Sequence, residues 1–159
     1  MEIKILSPND CSEKELNTFF QLAKEAKQVD EINLLRGIKN AKLLAFGNID
    51  EELVSISSIK IPNANYKFKI FKSSYIETEA NLYSFELGYS ITKEKHRGCG
   101  YNFKLNRELL SKLTNCKIYA TTGDLGMIHL LKKIGFEPIG EMYKGKYNSE
   151  LQIYSLKIV

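Results

Sequence analysis

The residues of this chain that could do chemistry are concentrated in a short basic segment, Lys-His-Arg-Gly-Cys-Gly-Tyr-Asn at 95–102. A strand-like run precedes the segment and a helix-like run follows it. The first N–H groups of a helix have no intrahelical partner, and the helix dipole adds positive charge there. Gly98 and Gly100 let the backbone approach an anion without an intervening Cβ, and Arg97 adds a formal charge. The segment predicts a pyrophosphate-binding loop, and a simple turn is the alternative that the same residues fit.

The loop differs from two familiar phosphate-binding patterns. No Gly-Lys-Ser/Thr sequence follows it, so it is not a P-loop. It also lacks a third glycine at the expected offset and lies late in the chain, which excludes a dinucleotide-binding fingerprint. The molecule that carries the pyrophosphate must therefore be inferred from other residues.

The cysteines do not form a metal site or an obvious catalytic centre. Cys11, Cys99 and Cys116 have no metal-ligand spacing, and their odd number predicts free thiols, so no metal is expected. Cys99 lies inside the glycine loop, where a nucleophile and a small turn residue both fit. We favour the turn residue because no histidine-plus-acid pattern accompanies it.

Composition predicts one globular domain over residues 1–159, with 43% hydrophobic and 26% charged residues. No run approaches the ~18–20 apolar residues of a membrane span, and the N-terminus lacks a signal-peptide profile, so a cytoplasmic location and no membrane partner are expected. The net charge of +4 suits an anionic cofactor or an acidic partner. Lys67, Lys69 and Lys72 alternate with aromatic residues, which fits a nucleic-acid surface or, as we favour, an amphipathic segment covering the core.

Hydrophobic periodicity predicts the elements that position the loop. Strands are predicted at 3–6, 41–46, 53–61, 82–92, 117–122, 136–142 and 151–159, and helices at 13–27, 30–39, 99–114 and 124–134, with a hairpin turn at 47–50 and a short helix plus loop within 66–80. The fold class is therefore α+β or α/β, with a mixed sheet of about seven strands flanked by about four helices. Strands 82–92 and 117–122 should be parallel neighbours because a helix connects them.

The strand before the loop has two unlike faces. Its odd positions are Tyr83, Phe85, Leu87, Tyr89 and Ile91, and its even positions are Ser84, Glu86, Gly88, Ser90 and Thr92. A period of two places the large apolar set on one face and the small polar set on the other. The polar face therefore carries a single carboxylate.

Two motifs together resemble the GNAT superfamily of acyl-CoA N-acyltransferases. That family's pyrophosphate loop reads Gln/Arg-x-x-Gly-x-Gly/Ala, and Arg97, Gly100 and Asn102 stand at its three defined positions. A second family motif reads Asn-x-x-Ala-x-x-Leu-Tyr-x-Lys-x-Gly-Phe. It is similar to 124–136, Asp-Leu-Gly-Met-Ile-His-Leu-Leu-Lys-Lys-Ile-Gly-Phe. The sequence resemblance is strong over 82–140. Over the rest of the chain, only the predicted order of helices and strands resembles the family.

The resemblance implies a GNAT fold and an enzyme that moves an acetyl group from acetyl-CoA, without a metal, to an amine of a small molecule or protein. It implies a cofactor-binding set of Ser90, Ile91, Thr92, Arg97, Gly98, Cys99, Gly100, Tyr101, Asn102 and Asp124. The backbone of 90–92 would pair with the pantetheine arm as an added strand does. Members of the family are often dimers, so a homodimer is one expectation.

Glu86 is the candidate catalytic residue. A primary amine has a pKa near ~10.4 and must lose a proton before it attacks the thioester. Glu86 on the polar strand face would be the general base. A solvated carboxylate or a structural ion pair is the alternative interpretation.

Three positions depart from the family pattern. Asn102 replaces a small residue and either crowds or caps the following helix, and Asp124 replaces an asparagine and either contacts pantetheine or caps its own helix. Leu131 stands where many members carry the tyrosine that protonates the leaving thiolate. The thiolate would then leave unaided, or Tyr143 or Tyr147 would supply the proton. The missing tyrosine and the altered loop end favour, as an alternative function, a catalytically weak or silent CoA-binding regulatory module.

Overall fold

The structure is a computed structural model that describes residues 1–26, 30–147 and 149–159. Its strands are β1 (Glu2–Leu6), β2 (Leu43–Ile49), β3 (Glu52–Lys60), β4 (Phe85–Thr92), β5 (Cys116–Thr122), β6 (Glu137–Lys144) and β7 (Glu150–Ile158). Its α-helices are α1 (Glu13–Lys24), α2 (Glu31–Lys39), α3 (Ala64–Ser73), α4 (Tyr101–Leu110) and α5 (Leu125–Ile134). The predicted end of the first helix, at 27, falls outside the described residues.

The strands form a seven-stranded mixed sheet in the order β1-β2-β3-β4-β5-β7-β6. The β1–β2, β2–β3, β5–β7 and β6–β7 pairs are antiparallel. Phe85 and Glu86 of β4 pair in parallel with Ile118 and Tyr119 of β5. The predicted α+β class and the predicted parallel neighbours are both confirmed.

The chain divides into two compact units. The first comprises Met1–Ile61 with Leu87–Lys112, and the second Pro62–Glu86 with Leu113–Val159. The expectation of one domain over the whole chain stays a prediction. In the first unit, apolar residues of α1, α2, β2 and β3 build the core, which consists of Phe19, Leu22, Ala23, Leu34, Ile38, Ala41, Leu44, Phe46 and Ile56. A reciprocal capping box between Ser12 and Glu15 begins α1, as the sequence indicates.

Aromatic residues dominate the core of the second unit, which contains Ile70, Phe71, Ala80, Tyr83, Tyr119, Tyr143 and Ile153. The Tyr119 ring meets Phe71 edge-on, with centroids 5.2 Å apart. Helix α3 buries Ile70 and Phe71, while the Lys67 ammonium donates to the Tyr83 carbonyl at 2.7 Å. Burial lowers the pKa of Lys67. These contacts support the amphipathic interpretation of the basic, aromatic segment.

Two predicted boundaries differ from the observed ones for reasons that the structure shows. Strand β2 continues to Ile49 instead of ending before the turn expected at 47–50, and the chain reverses at Asp50 and Glu51, which have φ of 48° and 65°. Gly47 lies inside the sheet instead of in a turn, because it pairs with Ile3 of β1 and Ser55 of β3. Likewise β4 begins at Phe85, since the preceding residues form a 3₁₀ turn over Glu77–Leu82.

Candidate functional site

The glycine loop of the first unit leaves the start of α4 open. Gly98 and Gly100 have φ of 79° and 75°, the left-handed region that favours glycine. A Cβ built on either would meet no atom of the described residues within 4 Å. Gly100 is the N-cap residue of α4, and it supplies no capping side chain to the first turn. The unpaired first-turn N–H groups that every helix has are therefore not satisfied by a cap here.

The other four α-helices in the described ranges begin with a capping side chain. The side chains of Ser12, Asp30, Asn63 and Asp124 each accept a hydrogen bond from the first turn of α1, α2, α3 and α5, respectively. Those four helix starts therefore have a donor satisfied by the chain's own side chain. An anion is the natural partner for the start of α4, because the dipole places partial positive charge there.

Arg97 is held beside the loop by one edge of its guanidinium. Its Nε donates to the Thr92 carbonyl oxygen at 3.0 Å, and the side chain is otherwise exposed. Thr92 is itself anchored, because its hydroxyl lies 2.8 Å from that of Ser55. The two Nη groups make no hydrogen bond or ion pair within the described part of the chain. They can form the paired donor contacts with which arginine holds phosphate.

The segment that enters the loop is fixed to the start of β3. Glu52 forms ion pairs with Lys93 and Lys95, each at 3.0 Å. Hydrogen bonds from Lys93 and then Lys95 lower the pKa of Glu52 to about 2. The Glu52 ion pairs therefore contribute to stability above the ordinary carboxyl pKa, and this contribution is lost as the pH falls toward about 2. These groups are solvent-exposed, so the pairs orient the segment more than they stabilise the fold.

A buried polar network joins the first turn of α4 to β4 and β3. The Asn106 amide nitrogen donates to the Asn102 carbonyl oxygen at 2.8 Å, to Asn102 Oδ1 at 2.6 Å and to Ser90 Oγ at 2.8 Å. Ser57 Oγ donates to Asn106 Oδ1 at 2.7 Å, and Ser90 Oγ donates to Asn102 Oδ1 at 2.8 Å. Sequence reasoning selected Ser90 and Asn102 but missed Asn106 and Ser57. The available signal was a polar residue one position after Leu105, on the buried side of α4.

The remaining loop residues have modest roles. Cys99 is exposed, and its thiol donates only to the Arg97 carbonyl oxygen, at 3.8 Å. The described residues show no hydrogen bond between this thiol and a histidine, which favours the turn-residue interpretation. Tyr101 is half-buried, and its ring centroid lies 6.3 Å from that of His96. Ile91 is half-buried, and its carbonyl oxygen accepts from Ser55 Oγ at 3.3 Å.

Glu86, in the second unit, is a buried carboxylate. Its side chain is only 6% exposed, and Tyr119 Oη donates to Glu86 Oε2 at 3.2 Å. Burial, followed by the nearby Glu86 charge, raises the pKa of Tyr119, so the phenol stays protonated and remains a donor. The interpretation of Glu86 as a solvated carboxylate is wrong, because Glu86 is buried and accepts a hydrogen bond from Tyr119.

The tyrosines suggested as proton donors differ in their surroundings. Tyr143 is 9% exposed, and its hydroxyl makes no well-aligned hydrogen bond to the residues that the structure describes. Burial raises the pKa of Tyr143, which keeps it a neutral hydrogen-bond donor. Tyr147 is 64% exposed. Leu131, at the position where the family motif has a tyrosine, is fully buried and carries no transferable proton.

Asp124 caps α5. Its Oδ1 accepts from the Met127 N–H at 2.8 Å, which supports the capping interpretation. We expect Asp124→Ala to lower the free energy of unfolding by about 1 kcal/mol, because this donor loses its partner. The measurement is urea denaturation. Asp124→Asn is the matched control, since an amide oxygen still caps. Equal stability of the alanine variant and the native protein would contradict the capping role.

Comparison with known proteins identifies the fold. No family model matches the chain, and no curated protein matches it by sequence. Solved structures do match. Escherichia coli ElaA has a TM-score of 0.71 and 17% identity, covering 98% of this chain and 99% of its own. A ribosomal-protein-alanine N-acetyltransferase from Brucella melitensis has a TM-score of 0.68 and 16% identity, covering 99% and 100%.

An aminoglycoside 6'-N-acetyltransferase, solved with coenzyme A, has a TM-score of 0.70 and 11% identity, covering 100% of this chain and 98% of its own. The chain therefore has the GNAT acetyltransferase fold. Over the described ranges, no helix is long and apolar enough to cross a membrane. In the same ranges, no group of three or more His, Cys, Asp or Glu side chains could hold a metal ion.

Proposed function

We propose that this protein is an N-acetyltransferase that moves the acetyl group of acetyl-CoA to an amine. The observation that carries the proposal is the uncapped start of α4, where two left-handed glycines and the anchored Arg97 surround open space. The GNAT fold supports the proposal of a coenzyme A site, because one structural neighbour was solved with coenzyme A. The loop would bind the coenzyme diphosphate through first-turn N–H groups and the guanidinium.

The arm of the coenzyme would follow β4 from the loop. The backbone of Ser90, Ile91 and Thr92 would pair with the pantetheine amides. The carbonyl oxygens of Ile91 and Thr92 each accept one side-chain hydrogen bond already. A carbonyl oxygen has two lone pairs, so each could still accept another. Asp124 would contact the arm only with the carboxylate oxygen that does not cap α5.

The proposed chemistry is direct transfer. The amine nitrogen attacks the thioester carbonyl carbon, the new C–N bond forms and the C–S bond breaks. Glu86 takes the proton that the amine loses, with Tyr119 holding its Oε2. The coenzyme leaves as thiolate, which a thiol pKa near ~8.5 permits at neutral pH without a proton donor at Leu131. Tyr143 would stabilise the departing sulfur or the acceptor as a neutral hydrogen-bond donor.

Titration calorimetry with CoA and pantetheine tests the binding part. We expect CoA to bind and pantetheine to bind at least about tenfold more weakly, because pantetheine lacks the diphosphate that the loop would hold. Raising the salt concentration should weaken CoA binding more than pantetheine binding. Equal affinity for the two compounds, or no heat with CoA at millimolar concentration, would overturn the proposal.

A second candidate function is a CoA-binding regulatory module without catalysis. The fully buried Leu131 favours it, because that side chain cannot protonate a leaving group. Thiol release from acetyl-CoA, measured across a panel of amines, separates the two candidates. The neighbours include enzymes named for a ribosomal-protein alanine and for aminoglycosides, so the panel should contain both peptide N-termini and aminosugars. The cytoplasmic location and the homodimer stay predictions.

A further inference from the structure

We propose that Asn106 is a positioning residue for the coenzyme loop, acting through Asn102. This inference rests on the proposed function, since the loop it positions is the proposed diphosphate site. Asn106 does not face the loop's open space: its side chain is fully buried and bonds to β3, β4 and the first turn of α4. Its effect on the coenzyme is therefore indirect.

The hydrogen-bond network fixes the orientation of the Asn106 amide. The Asn102 carbonyl oxygen is an obligate acceptor, so the Asn106 atom 2.8 Å from it must be the amide nitrogen. The other side-chain atom, Oδ1, then accepts from Ser57 Oγ at 2.7 Å. Ser57 is also fully buried. A buried amide whose oxygen and nitrogen are both hydrogen-bonded has one stable orientation. Exchanging the two atoms would place the amide oxygen against the Asn102 carbonyl oxygen, where neither can donate.

The orientation of Asn102 follows from that of Asn106. Because the nitrogen of Asn106 lies 2.6 Å from a side-chain atom of Asn102, that atom must be the acceptor, Oδ1. Ser90 Oγ donates to the same oxygen at 2.8 Å. The Asn102 amide nitrogen is thus turned away from the network, and it makes no hydrogen bond to any residue within 1–26, 30–147 or 149–159. It is a fixed donor on the second residue of α4.

This arrangement explains how Asn102 can stand at a position where the family pattern has a small residue. A larger side chain at this position could swing across the helix start and obstruct an anion. Asn106 and Ser90 hold its oxygen within the network, so the atom left outside the network is the amide nitrogen, a donor that suits a phosphate oxygen. The pair one helical turn apart, Asn102 and Asn106, lies on the same face of α4, as the i, i+4 spacing requires.

A double-mutant cycle tests the inference, with CoA affinity measured by calorimetry and folding by thermal denaturation. We expect Asn106→Leu to weaken CoA binding about tenfold in the native background. In the Asn102→Ala background it should weaken binding less than about twofold, because the residue it positions is gone. Equal effects in both backgrounds would mean that Asn106 is only structural, and would overturn the inference while leaving CoA binding itself intact.

Two further variants keep the test decisive. Asn102→Asp keeps an inward acceptor but presents an outward carboxylate oxygen, so CoA binding should fall at least about tenfold while the melting temperature is kept, because a carboxylate favours a helix start. If Asn106→Leu does not fold, Ser57→Ala replaces it in the same cycle. Unchanged CoA affinity in Asn102→Asp would overturn the inference. Absence of CoA binding in the native protein would overturn the proposed function, and this inference with it.

Discussion

Replacing Gly100 by valine is expected to weaken CoA binding by at least about tenfold. Gly100 has φ of 75°, and an L-residue in that left-handed region costs roughly 1–2 kcal/mol, more for a β-branched side chain. The backbone would relieve this cost by rotating, which would turn the first N–H groups of α4 away from the diphosphate. The new side chain would also project into the open space over the loop. Calorimetry with CoA measures the loss.

Gly135→Val is the matched control for this variant. Gly135 also has a left-handed backbone, with φ of 117°, but it ends α5 in the second unit. Among the described residues, a Cβ there would meet only Leu156 Cδ1, at 3.7 Å. We expect a comparable loss of thermal stability with CoA affinity retained. If both variants lost affinity equally, the effect would come from general destabilisation, and the loop would lose its assigned role.

Replacing Glu86 by glutamine is expected to lower kcat by roughly 10²–10⁴-fold, the usual contribution of a positioned general base. CoA affinity should change little, because the variant is isosteric and Glu86 is not in the coenzyme loop. The loss should be greatest at low pH and shrink as pH approaches the amine pKa near ~10.4, where the free amine no longer needs a base. Initial rates of thiol release across pH measure this with a saturating amine.

Glu137→Gln provides the comparison for Glu86. It makes the same chemical change at an exposed position of β6, and we expect a native rate profile. A Glu86→Gln enzyme whose pH–rate profile matched the native one would remove Glu86 from the mechanism. A rate loss that accompanied an equal loss of stability would instead assign Glu86 to a structural pairing with Tyr119.

Local chemistry made much of this molecule predictable from sequence. Period-two alternation located β4, and helical spacing with a terminal glycine located α5 and its end at Gly135. The glycine loop was predictable because positive φ and the opening of a helix are properties of a few adjacent residues. Boundaries failed where strand pairing overrode a local turn signal, as at Gly47, which pairs with Ile3 and Ser55 in the sheet.

Contacts between distant residues were decided by the tertiary structure alone. Ser57 reaches Asn106 across 49 positions, and Tyr119 reaches Glu86 across 33. No pattern within one element reports such a pairing, because strand order in the sheet brings the partners together. The sequence by itself therefore determined the loop and the element types, which depend on neighbouring residues. The fold decided which carboxylate is buried and which amides are held in one orientation, since burial and hydrogen-bond partners depend on residues far apart in the chain.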